Sequence, residues 1–165
     1  MKYLIENCAG SALSALRAQE GGAQRVELCA ALSEGGLSPS YGEVKLARRL
    51  IDIKLHVLVR PRSGDFLYSP LEEELMLEEI RQYLALGVDG FVLGALTPKG
   101  DIDRPLMERL IAATEGRPVT FHRALDMCRA PLEALKDIIA LGCQRTLRSG
   151  AACSIQYIQL VSKLD

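Results

Sequence analysis

Two short segments carry the same pair of chemically active side chains. Leu4-Ile5-Glu6-Asn7-Cys8 and Arg25-Val26-Glu27-Leu28-Cys29 each hold a carboxylate and a thiol two residues apart. In a strand, alternate side chains share a face, so Glu27 and Cys29 point one way while Val26 and Leu28 point the other. If the two strands are neighbours with Glu6 beside Glu27, Cys8 falls beside Cys29, because adjacent strands lie about 4.8 Å apart. Soft thiolates favour Cu(I), and two can bind it without a further ligand, which makes Cys8 and Cys29 candidate metal ligands. The plainer reading is that both pack in the core as small hydrophobes. Two acids side by side raise one of their pKa values unless a cation intervenes.

Five more side chains belong to inner faces by the same count. Stepping back in twos from Arg60 puts Leu58 and His56 with it, while Leu55, Val57 and Val59 form the opposite, apolar face. Thr120 and His122 likewise separate from Val119 and Phe121. Glu6, Glu27, Arg60 and His122 then converge where a barrel enzyme keeps its catalytic groups. In that alternative, Glu27 or His122 is the general acid or base, and Arg60, with Arg62 in support, holds a small anionic substrate. Against it stands a buried ion-pair network that satisfies its own charges. Gly35-Gly36 ahead of Ser38-Pro39 offers a phosphate cradle or simply a turn. Asp65 and Asp126 orient neighbouring cations or cap loops. His56, deeper in its strand, reads as a core histidine, and Cys128, Cys143 and Cys153 as packing residues.

The elements that position these residues recur regularly. Apolar, β-branched segments begin near Tyr3, Arg25, Lys54, Gly90, Pro118 and Arg145, a mean spacing of roughly 28 residues, with a helical pattern in each gap. Ser-Pro at 38–39 opens one helix. Ser69-Pro70-Leu71-Glu72 supplies an N-cap, a first-turn proline and a capping-box Glu to another that stops at Gly87. Asp103-Arg104-Pro105 and Ala130-Pro131 open two more, ending near Gly116 and Gly142. The chain therefore reads as one domain, 1–165, of α/β class built from βα units. An open doubly wound sheet would carry a Gly-rich turn after its first strand, and Cys8-Ala9-Gly10-Ser11 lacks that pattern. Polar residues inside the strands suit a TIM-type (βα)8 barrel with a site in its upper interior. Eight units at this spacing need roughly 230 residues. The chain supplies six of eight, which leaves open strand edges and leads us to expect a homo-oligomer or a further piece of chain.

With 48% hydrophobic residues over 165 and a net charge of −1, the chain can bury a sizeable core and offers no electrostatic footprint for nucleic acid. No stretch approaches the roughly 20 apolar residues of a membrane span, and the acid at Glu6 breaks any signal-peptide run, so a cytosolic protein is expected. Five cysteines with no C-x-x-C fit reduced thiols better than a disulfide framework or a structural zinc site.

Four motifs carry a resemblance: Val26-Glu27-Leu28-Cys29, Glu34-Gly35-Gly36-Leu37-Ser38-Pro39-Ser40, Arg60 to Ser69 (R-P-R-S-G-D-F-L-Y-S) and Val119 to Met127 (V-T-F-H-R-A-L-D-M). In type and order they resemble the CutC family, from residue 1 to about 150. The resemblance implies a TIM-type barrel, a cytoplasmic location and a copper-homeostasis role with copper binding, and the softness of thiolate ligands makes Cu(I) the expected ion. It also implies that the family's copper-site cysteines fall on Cys8 and Cys29, and that family members are longer by two βα units. The sequence departs from the family pattern at Asn7 and Ala9-Gly10 around the first cysteine, and at Arg148, where a small hydroxyl residue is usual before Ser-Gly.

Overall fold

The apolar segments become the strands of a single parallel sheet in a computed structural model that describes residues 4–147. They are β1 (Glu6–Ala9), β2 (Arg25–Leu28), β3 (Lys54–Leu58), β4 (Gly90–Leu93), β5 (Val119–Phe121) and β6 (Arg145–Thr146). All pair in parallel and in chain order. Parallel neighbours need a crossover, and each is helical. The helices are α1 (Ala12–Glu20), α2 (Tyr41–Leu50), α3 (Pro70–Ala85), α4 (Arg104–Ala113) and α5 (Pro131–Ala140), with short 3₁₀ turns at Leu32–Glu34 and Arg123–Met127. Six consecutive parallel strands with alternating helices form a partial barrel, six of the eight strands of a (βα)8 fold.

The helix starts follow the caps. Ser69 and Glu72 form the expected capping box ahead of α3, and Asp103 caps α4. The helix expected to open at Ser38-Pro39 begins instead at Tyr41, capped by Ser40. Ser38 is committed elsewhere: its N–H donates to the Arg60 carbonyl, and its hydroxyl accepts from the Arg60 N–H, each at 2.9 Å. The Pro39 carbonyl accepts from the Tyr83 hydroxyl at 2.5 Å. This loop is thus fastened to the end of β3 and to α3 before the helix can begin.

Alternation divides the sheet into two faces. Val26, Leu28, Leu55, Val57, Phe91, Leu93, Val119 and Phe121 are buried against the helices in the main core. Each such side chain contributes about 1.5–3 kcal/mol of transfer free energy. On the other face lies a small apolar cluster, Cys29, Leu58 and Val92, with Leu147 packed on it. Around it, Glu27, His56, Arg60, Thr120 and His122 are buried although polar or charged. The inner face is where the chemistry is.

Candidate functional site

The register of β1 on β2 differs from the one expected. Cys8 lies level with Glu27, and Glu6 with Arg25, so the two acids are offset by two residues and not level. Glu6 instead pairs with the Arg25 guanidinium, because the cation occupies the position opposite it. The thiols still meet, diagonally across the two strands, with Sγ of Cys8 3.6 Å from Sγ of Cys29. Diagonal neighbours one pleat apart are within side-chain reach in a sheet. Cys8 is exposed and Cys29 buried, and Cys29 Sγ also lies 3.7 Å from the Ala9 carbonyl. A disulfide needs about 2.05 Å between sulfurs, so these are two thiols in contact.

Their titration is joint. The hydrogen bond with Cys29 lowers the Cys8 thiol from 9.0 to about 7, against the opposing effect of burial. The same hydrogen bond, with burial and the charges of Cys8 and Glu27, pushes Cys29 up. The pair therefore gives up its first proton near neutrality and shares the second. Two soft sulfurs in contact, one of them ionised, fit a two-coordinate soft cation. Zinc takes four ligands, and among the described residues no group of three or more His, Cys, Asp or Glu is placed to hold a metal.

Glu27 sits beside this pair. Burial first, and the Cys8 charge second, raise its carboxyl from 4.5 to about 7, with Arg25 opposing. His56 is level with it on β3 and lies 3.3 Å from an Arg145 nitrogen. Burial, then Arg145 and Arg25, lower His56 to about 4, so it is a neutral core residue.

At the C-terminal ends of the strands, Arg60 donates from Nη1 to the carbonyls of Glu34 and Gly36 at 3.0 and 2.9 Å, and from Nη2 to that of Gly64 at 2.9 Å. It therefore clasps the loops after β2 and β3 together, and its guanidinium lies over the Phe66 ring, 4.8 Å from the centroid. His122 packs on the same ring at 4.9 Å. Its Nδ1 accepts the Ala124 N–H at 3.2 Å, which assigns the imidazole proton to Nε2. Burial and the Arg60 charge lower His122 to about 3. Arg60 Nε and His122 Nε2 are both buried and lack a hydrogen-bond partner among the described residues. A buried donor left unpaired costs about 1–3 kcal/mol. Glu27, Arg60 and His122 line one pocket of about 50 Å³. Above it opens a cleft of about 580 Å³ that shares Gly35, Arg60, Phe66 and Arg123 with it.

The CutC family profile matches residues 3–164. The chain belongs to the CutC family. A CutC family protein of Bacteroides fragilis (strain YCH46) is 55% identical over 164 residues, covering 98% of this chain and 65% of its own length. One from Bacteroides thetaiotaomicron is 55% identical over 150 residues, 90% of this chain and 60% of the relative. The chain thus spans under two thirds of the length of these relatives. Among solved structures, CutC of Streptococcus agalactiae, named for copper homeostasis, superposes with a TM-score of 0.84 at 36% identity, covering 90% of this chain and 73% of that one. A phosphonopyruvate hydrolase bound to oxalate and Mg²⁺ shares the fold alone, with a TM-score of 0.68 at 15% identity over 98% of this chain and 63% of that one.

The CutC fold thus brings Cys8 to Cys29, and Glu27, Arg60 and His122 to one pocket, while Glu6 stands apart in its ion pair. Arg148 and Cys153 lie outside the described residues. Gly90, at the start of β4, and Gly94, just past its end, make room for the two histidine rings. A Cβ on Gly90 would lie 2.6 Å from the His56 ring, and one on Gly94 would lie 2.4 Å from that of His122. Glycine inside a strand marks such close approaches, and the G-F-V-L-G spacing was the available signal.

Proposed function

We propose that this chain binds Cu(I) through Cys8 and Cys29 and serves copper homeostasis in a reducing cytosol. The observation that carries the reading is the 3.6 Å contact between an exposed and a buried thiol at the mouth of the inner face. Soft thiolates select Cu(I) over harder ions, and the lowered Cys8 thiol supplies the anionic ligand near neutral pH. Glu27, protonated or not, adds no soft donor and leaves the pair to a two-coordinate ion. Membership of a family whose Streptococcus agalactiae member is named for copper homeostasis supports the same role.

Anaerobic Cu(I) titration against a competing chelator tests this on the native chain and on C8S and C29S. The expected result is one tightly held Cu(I) per chain, with affinity reduced by at least about a hundredfold in either variant, since each removes one of two thiolates. Binding indifferent to both substitutions would remove the cysteines from the function.

A further inference from the structure

The upper inner face carries an arrangement that copper binding does not use. Arg60 and His122 are 6% and 5% exposed, and each directs one N–H that meets no acceptor among the described residues. Both line the 50 Å³ pocket, and both rest on the Phe66 ring. Three of the other four Arg60 N–H groups donate to loop carbonyls, and His122 Nδ1 accepts the Ala124 N–H. Both donors are therefore held rigidly; the Glu27 carboxyl lines the same pocket but accepts from neither, so each lacks an oxygen acceptor.

We propose that this pocket is the head-group site for a small organic carboxylate, one oxygen of which accepts from Arg60 Nε–H and His122 Nε2–H. The pocket is large enough for such a group and too small for the body of a ligand. The 580 Å³ cleft sharing Arg60 and Phe66 has the size of a small-molecule site. Leu67, Leu96, Pro98 and Met127 give that cleft apolar patches for a ligand body, alongside the charged Asp65, Arg123 and Asp126. Arg60 provides the cation that an anionic head group requires, and its planar Nε–H adds a directed hydrogen bond. Neutral His122 contributes direction without charge. The site stands whether or not the thiols hold copper.

The two ring nitrogens of His122 separate this role from a structural one. In H122N the amide oxygen takes the place of Nδ1 and keeps the Ala124 contact, while the Nε2 donor is lost. In H122Q the amide nitrogen takes the place of Nε2, while the Nδ1 acceptor is lost. Acetate, succinate and phenylacetate are titrated into the native protein and both variants, with 2-phenylethanol and inorganic phosphate as controls. Binding is followed by calorimetry and by the ¹⁵N–¹H signal of the His122 ring, assigned by its loss in H122N, since the chain has two histidines. The expected result is that a carboxylate shifts the Nε2–H signal, that H122N weakens its binding about tenfold or more, and that H122Q retains it despite lower thermal stability. Failure of all three carboxylates, equal affinity in H122N, or preference for phosphate or the alcohol would each overturn the assignment. An Nε2–H signal unmoved by any ligand would leave a buried water as the acceptor and would overturn it as well.

Discussion

Cys8 and Cys29 differ in exposure yet share their protons, and that coupling is measurable at the level of single side chains. Alkylation by iodoacetamide should modify Cys8 first, with a pH midpoint near 7, because the thiolate is the nucleophile. Cys29→Ala removes the hydrogen bond that stabilises this thiolate, so the midpoint should move up towards 9.0; an unchanged midpoint would show that the contact has no electrostatic consequence. Cys128 and Cys143 are raised to about 11 by burial and should stay unreactive near neutrality. His122 gives a second test through stability. Its folded-state pKa of about 3 lies below the ordinary 6.5, so as pH falls through 6.5 the unfolded chain takes up a proton that the folded chain refuses. That contribution to stability is fully present above 6.5 and is lost progressively towards pH 3. The Asn variant lacks it. Between roughly pH 6 and 4, urea denaturation should show the native chain losing about 1.36 kcal/mol per pH unit more than H122N. Parallel pH profiles would mean that His122 titrates normally.

Strand β4 shows how far elements were legible. Its position followed from the apolar run at Gly90-Phe91-Val92-Leu93, as the other strands followed from theirs, because burial on the helix face demands that pattern. The inner-face set of Glu27, Arg60 and His122 was also legible, since period-2 counting needs only the strand positions. Register was not. Which residue of β1 lies level with which of β2 depends on side chains meeting across strands, and the Glu6–Arg25 pair decides it against the two-acid alignment. The loop after β2 departs from the expected helix start at Ser38-Pro39 for a similar reason: Ser38 and Pro39 are held by Arg60 and Tyr83, residues distant in sequence. Phe91 anchors the helix-facing side with no exposed surface, and Phe91→Ala should cost about 3–5 kcal/mol in urea denaturation. Gly94→Ala should cost about 1–3 kcal/mol and displace the His122 ring, because its Cβ has no room on the inner side. A fully tolerated alanine at 94 would contradict the close approach.

Across the whole molecule, the two faces of one sheet divide the labour. The helix-facing side is apolar and makes the fold; the inner side carries the Cys8–Cys29 thiols and the buried Glu27, His56, Arg60 and His122 in and around a small apolar cluster. The candidate site lies at the C-terminal ends of the strands, where barrels of this kind keep their chemistry. Among the described residues, no helix is long and apolar enough to cross a membrane. The proposed function requires copper to be held by sulfur at this inner face. The most direct measurement is X-ray absorption at the copper edge on the one-to-one Cu(I) complex, prepared without oxygen from the native chain and from C8S and C29S. A first shell of two sulfurs, lost in both variants, is the predicted result. A shell of nitrogen or oxygen, or a sulfur shell that survives both substitutions, would contradict it.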